Sequence, residues 1–181
     1  MEIKETNFKG CFLLKPQVFK DRRGSFFESY NKRVFEECIG QTINFVQDNQ
    51  SISKRGALRG LHFQNGNYAQ SKLVRVVKGE ILDVIVDLRS QSKTFGQHLK
   101  ITLSNKNDEM LYIPKGMAHG FLTLSKEAIF LYKCDEFYIK EEERGIIYND
   151  PDLNIDWQIP DNQLIVSEKD KALPTFNNLV L

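Results

Sequence analysis

Residues 80–88 limit the fold more than any other part of this chain. Leu82, Val84, Val86 and Leu88 alternate with Ile81, Asp83, Ile85 and Asp87. Side chains two apart share one face of a strand, so this period excludes a helix here. Residues 72–78 form a second strand-like run, joined to the first at a turn on Gly79. Further strands are expected at residues 11–14, 25–30, 99–103, 110–113, 120–124 and 128–137. Short strands separated by turn signals about every ten residues predict an all-β sandwich or barrel. Helix is expected only at the margins. One short helix would be capped by Asn31, carry Val34, Phe35 and Cys38 on one face and stop at Gly40; another would start at Ser167. The C-terminal stretch is acidic, is broken by Pro151, Pro160 and Pro174, and is expected to pack against the β-body.

No repeat, linker or low-complexity tract interrupts residues 1–181, which are read as one domain. Net charge is +1 with Lys and Arg dispersed, so neither nucleic acid nor a membrane surface is an expected partner. No apolar run approaches the roughly 20 residues that cross a bilayer. The charged start, Met1 to Thr6, does not read as a signal peptide. Cys11, Cys38 and Cys134 are far apart and form no CxxC pair. They are read as free thiols of a cytoplasmic protein, not as a disulfide framework or a zinc site.

Polar groups inside strands are the exceptions that suggest chemistry. Arg59, His62 and Gln64 fall in one strand-like segment and Lys72 opens the next. In a regular strand His62 and Gln64 share a face while Arg59 takes the other. A bulge at Gly60 would turn Arg59 to the same side, and Lys72 would reach in from alongside. His119, after the Pro114-Lys115-Gly116 turn, is a candidate for the opposite wall, whereas His98 is read as surface. Tyr132 and Tyr138 would share a face if their strand is continuous; both core packing and a role as phenol donor and stacking platform fit that placement. Asp170, in Ser167-Glu168-Lys169-Asp170, is either a solvated helix start or a carboxylate folded back onto His62, fixing its tautomer.

Taken in order, these segments resemble the dTDP-4-dehydrorhamnose 3,5-epimerase family. The likeness runs through Asp21-Arg22-Arg23-Gly24, Phe45-Val46-Gln47-Asp48-Asn49, Leu58-Arg59-Gly60-Leu61-His62-Phe63-Gln64 and Lys72 to Glu80. It continues through Asp83 to Arg89, Ile113 to Phe121, Leu131-Tyr132-Lys133-Cys134, Asn149-Asp150-Pro151, Ile155-Asp156-Trp157 and Ser167 to Asp170. The resemblance implies a cupin-type β jelly roll, a homodimer, no metal and no cofactor. It implies His62 as catalytic base, Asp170 as its dyad partner and Tyr132 as proton donor on the opposite sugar face. Lys72, Arg59 and His119 would surround the sugar and its carbonyl. Arg23, Glu28, Gln47, Asp48, Asn49, Glu143 and Lys169 would bind substrate, with Tyr138 stacked on the base. Phe63 stands where the family commonly has tyrosine, and Gln158-Ile159 delays a proline that usually follows the tryptophan.

The implied reaction inverts carbons 3 and 5 of dTDP-4-keto-6-deoxyglucose. A single-carbon epimerase or ketoisomerase on a related nucleotide sugar is the alternative, and an inert sugar-binding module is a third reading. A metal-dependent cupin fits less well, because Gln64 stands where the second histidine of a His-x-His pair would be.

Overall fold

A computed structural model describes residues 1–179. In chain order the strands begin with β1 (Glu2–Glu5), β2 (Phe12–Lys15), β3 (Phe19–Asp21) and β4 (Gly24–Phe26). Helix α1 (Lys32–Ile39) follows, then β5 (Gln47–Lys54), β6 (Ala57–Gln64), β7 (Lys72–Lys78) and β8 (Glu80–Asp87). After these come β9 (His98–Ser104), β10 (Met110–Ile113), β11 (Met117–Thr123), β12 (Glu127–Cys134), β13 (Glu143–Gly145), β14 (Ile165–Val166) and helix α2 (Glu168–Lys171).

Two sheets face each other. The first has the order β1-β2-β10-β7-β12-β5, the second β13-β6-β11-β8-β9, with β14 added parallel to β6. All other pairings are antiparallel. This is the double-sheet jelly roll of cupins. Consecutive β7 and β8 lie in different sheets, so the turn at Gly79 carries the chain across the sandwich. Gly79 has φ +81°, and a side chain there would strike the backbone of Glu127. Only glycine fits this corner.

The alternation in β8 has a direct cause. Ile81 and Ile85 face the inter-sheet core with Val74, Val76, Phe121 and Phe130. Leu82, Val84 and Val86 face outward, beneath Leu153, Ile155 and Trp157 of the C-terminal stretch. Both faces of the strand are therefore covered, and its run is nearly all apolar. On the other sheet Leu73, Met110 and Tyr112 are roofed by Phe35 and Ile39 of α1. Asn31 caps that helix by accepting from Val34 N–H, and Gly40 ends it in the left-handed conformation.

Two strand expectations need shortening. β4 stops at Phe26 because among the described residues it pairs with β3 alone, forming a separate two-stranded ribbon. β12 stops at Cys134, where pairing with both β5 and β7 runs out. His98, expected on the surface, is half-buried at the start of β9.

Asp87 fastens the long connection after β8. Its carboxylate is 0% exposed and accepts from Arg89 Nε and Nη2, Ser92 Oγ and Thr94 Oγ1 at 2.6–2.9 Å. Burial pushes the carboxyl up, but the hydrogen bonds from Arg89, Ser92 and Thr94 outweigh it and hold it at about 2. The stability it lends is therefore present above the ordinary value of 3.8 and is lost as pH falls towards about 2. Asp87→Asn is expected to cost about 3 kcal/mol at neutral pH, by leaving Arg89 without its counter-charge. In a domain of this size that lowers Tm by roughly 6–12 °C in a thermal melt.

Candidate active site

The space between the sheets is apolar at one end and polar at the other. Beyond Phe121 and Phe130 it opens into a cavity of about 650 Å³, whose lining includes Asn49, Ser51, Arg59, His62, Lys72, His119, Tyr132, Lys169 and Asp170. A second lobe of about 230 Å³ shares His62, Lys72 and Tyr132 and reaches Gln47, Tyr138 and Glu143.

One wall is built by β6 and β11. His119 pairs with His62, but Phe121 pairs with Arg59, so β6 holds one extra residue between the two pairs. This bulge at Gly60–Leu61 restores Arg59 to the inner side, while Leu58, Leu61 and Phe63 stay in the outer core. Gly60 has φ +112°, and a Cβ there would come within 2.7 Å of Gly120 Cα and His119 O. The bulge therefore requires glycine at 60. His119 lies beside His62 on this same wall, not across from it.

The facing wall comes from β5, β7 and β12, which contribute Asn49, Lys72 and Tyr132. Lys72 thus reaches the cavity from across the sandwich, not from a neighbouring strand. Tyr132 stands opposite His62, with Phe130 next to it at 5.7 Å between ring centroids.

α2 closes the third side. Ser167 caps it by accepting from Asp170 N–H, and this turns the Asp170 side chain inward, where the residue is 4% exposed. Asp170 Oδ1 lies 2.7 Å from His62 Nε2, and Oδ2 accepts from Gly60 N–H at 3.3 Å. Burial raises the Asp170 pKa, but the hydrogen bond and charge of His62, with Gly60 and Ser167, bring it below the usual carboxylate range. An ionised Asp170 holds the imidazole proton on Nε2 and leaves the lone pair on Nδ1.

The other groups have defined electrostatics. Burial lowers the Lys72 pKa, partly countered by Cys134, Asp83 and Glu143. Burial raises the Tyr132 phenol, which keeps it protonated at neutral pH. Burial likewise pushes the Cys134 thiol up to about 11, so it is neutral. His119 Nε2 is 2.9 Å from Asp83 Oδ2, and both side chains are almost fully enclosed.

Not every residue named from the sequence enters this cavity. Asp48 alternates with the inward Gln47 and Asn49, points outward and pairs with Lys133 at 2.8 Å. Arg23 sits at the tip of the β3–β4 ribbon, paired with Asp21, its side chain 91% exposed. Glu28 is exposed and accepts from Asn31 Nδ2. Tyr138 is not on the strand of Tyr132 but in the connection after it, half-exposed, donating to Glu143 Oε2 at 2.7 Å. Lys169 also bonds Glu143. Two groups escaped notice in the sequence. Asp83 is the buried partner of His119, and Ser53 accepts from Arg59 Nε at 3.2 Å. A carboxylate inside the most apolar strand was the available signal for Asp83; a serine on a polar strand gave none.

Among the described residues no three His, Cys, Asp or Glu side chains converge as metal ligands, and no helix is long and apolar enough to cross a membrane.

Fold and site define a jelly-roll protein with an acid–base pocket. Residues 5–178 match the family model described as dTDP-4-dehydrorhamnose 3,5-epimerase, and the chain belongs to that family. It is 55% identical over 164 residues to the dTDP-4-dehydrorhamnose 3,5-epimerase of Pseudomonas aeruginosa, covering 91% of this chain and 90% of that protein. The Salmonella typhimurium enzyme of the same name is 48% identical, with 100% of this chain and 98% of the relative covered. A crystal structure of dTDP-6-deoxy-D-glucose-3,5-epimerase from Legionella pneumophila, in complex with dTDP-4-keto-L-rhamnose, superposes with a TM-score of 0.94. It is 44% identical and covers 99% of this chain and 94% of its own.

Proposed function

We propose that this chain inverts carbons 3 and 5 of dTDP-4-keto-6-deoxyglucose, giving dTDP-4-keto-L-rhamnose. The observation that carries the mechanism is the His62–Asp170 bond on one wall, with Lys72 and Tyr132 on the wall facing it.

Both carbons flank the ketone, so removing a proton from either gives an enolate with its charge largely on the ketone oxygen. Catalysis requires that this oxygen be held more tightly in the enolate than in the ketone. Lys72, on the wall facing His62, is the donor placed for that task, its ammonium form answering the charge that develops on the oxygen. His62 Nδ1 takes the proton, and Asp170 stabilises the imidazolium that forms. Tyr132, protonated and on the other wall, returns a proton to the opposite face, which inverts the centre. The phenolate it leaves recovers its proton from solvent, and His62 releases its own there. Arg59 and Lys169 lie on the cavity lining where they can neutralise a diphosphate.

Incubation with the 4-keto sugar nucleotide, read by NMR, tests the assignment. Inversion at both carbons is expected; inversion at one alone would select the single-carbon alternative, and an unchanged sugar would oppose epimerisation altogether.

The reading includes a homodimer. Arg23 and Glu28 stand apart from this chain's own cavity, on and beside a ribbon whose Phe19 and Phe26 are 55% and 68% exposed. A second copy would cover those rings and bring both charged groups to substrate. Sedimentation is expected to give twice the chain mass. A cytoplasmic setting fits the three free thiols.

A further inference from the structure

Gln64 plays no part in the proposed chemistry, yet its side chain is 5% exposed and fully engaged. Nε2 donates to Tyr68 O at 2.8 Å and to Phe137 O at 3.0 Å, while Oε1 accepts from Ile139 N–H at 2.6 Å. Both donors of the amide and its oxygen are thus spent on backbone. Two of the three bonds grip the residues on either side of Tyr138.

The connection needs that grip. Residues 135–139 lie beyond the end of β12 and outside both sheets. Asp135 N–H donates to Ser71 O and Phe137 N–H to Glu136 Oε1, and glutamine side chains supply most of the remaining ties. Gln70 Nε2 donates to Glu136 O, and Gln47 Oε1 accepts from Tyr138 N–H at 3.1 Å. Gln64 is the strongest of these ties, with two bonds, and it also sits in register with Glu143, which accepts from the Tyr138 hydroxyl. One position on β6 therefore fixes both the backbone beneath the ring and the strand segment that holds its hydroxyl. A carboxylate in place of the amide would face two carbonyl oxygens. An aliphatic chain would leave Tyr68 O, Phe137 O and Ile139 N–H without these partners.

We propose that Gln64 is a positioning residue that pre-sets Tyr138 at the cavity mouth and thereby sets affinity for the nucleoside end of the substrate. The proposal rests on the reading of Tyr138 as the residue that stacks on the base. With the backbone fastened, the ring is ordered before substrate arrives; without Gln64, that ordering has to be supplied on binding.

Calorimetric titration with dTDP tests this on wild type, Gln64→Met, Tyr138→Ala and the double variant. Gln64→Met is expected to weaken dTDP about tenfold, the equivalent of one lost buried hydrogen bond to a backbone group. In the Tyr138→Ala background the same change is expected to matter less than about twofold, because the ring through which it acts is gone. KM for the sugar nucleotide should follow Kd, with kcat falling less than about threefold. Gln64→Glu, which keeps only the bond from Ile139, should weaken dTDP similarly and serves if Gln64→Met does not fold. Equal weakening in both backgrounds would overturn the proposal, since Gln64 would then act elsewhere. Wild-type affinity in Gln64→Met and Gln64→Glu, with Tyr138→Ala weakened, would refute the role of Gln64 alone. Wild-type affinity in Tyr138→Ala would refute the stacking reading and the proposal with it.

Discussion

Replacing His62 with alanine is expected to end solvent-deuterium entry at both carbon 3 and carbon 5 and to cut turnover by about 10²–10⁴-fold. The imidazole is the group whose geometry fits a base. Its Nε2 is tied to Asp170 at 2.7 Å, which leaves Nδ1 as the basic nitrogen of a ring that lines the cavity. His119 lies next to it with the same kind of carboxylate pair, but its side chain is only 7% exposed against 28% for His62, so His62 is the ring that the cavity reaches. One base serving two carbons has a strict consequence, namely that both exchange rates fall together. Exchange in the variant at near wild-type rate would remove His62 from the role. Loss at one carbon only would require a second base.

Lys72→Met should cost about 3–4 kcal/mol of barrier, the typical worth of one preorganised donor to a developing oxyanion, or roughly 10²–10³ in kcat. The methionine keeps the unbranched apolar stem and removes the ammonium, so the loss reports chiefly on the charge. Burial holds the Lys72 pKa below that of an ordinary lysine, while Asp83 and Glu143 keep it from falling further. Activity that depends on the ammonium is therefore full on the acid side of that lowered value. It declines as pH rises through it, earlier than an unperturbed lysine would allow. The variant should lose this basic limb from its pH–rate profile. An unchanged kcat with only a raised KM would mean that Lys72 binds the ketone and enolate equally well.

The fold was legible where burial was two-sided. β8 announced itself because apolar groups are demanded on both of its faces, and β7 did so because Val74 and Val76 fill the core. β5 was hidden for the opposite reason. Gln47, Asn49 and Ser51 line the polar cavity, Ser53 is buried against Arg59, and the residues between them are exposed, so no hydrophobic period marks the strand. The bulge at Gly60 could be read from a glycine between two residues that needed the same face. Sheet membership could not. Alternation tells which face Lys72 shares with Val74 and Val76, but not that β7 lies across the sandwich from β6. Local pattern also gave Ser167 as a helix cap without saying where Asp170 would point; that contact spans 108 residues of chain. Tyr138 was misplaced because an even spacing implies a common face only while the strand lasts, and β12 loses both neighbours at Cys134. Arg23, Glu28 and Asp48 stay outside this chain's cavity, because a resemblance carries over residue type but not the direction in which a side chain points.

The central claim is that a base on one sheet and an acid on the other act on opposite faces of the same carbon. Tyr132→Phe in deuterated water, followed by NMR at carbons 3 and 5, tests it most directly. The expected result is that deuterium still enters at carbon 3 or 5 with retention of configuration while inverted product falls sharply, because His62 continues to remove and return protons on its own side. Exchange and inversion falling in equal proportion would contradict it and would place proton removal and return in the same hands.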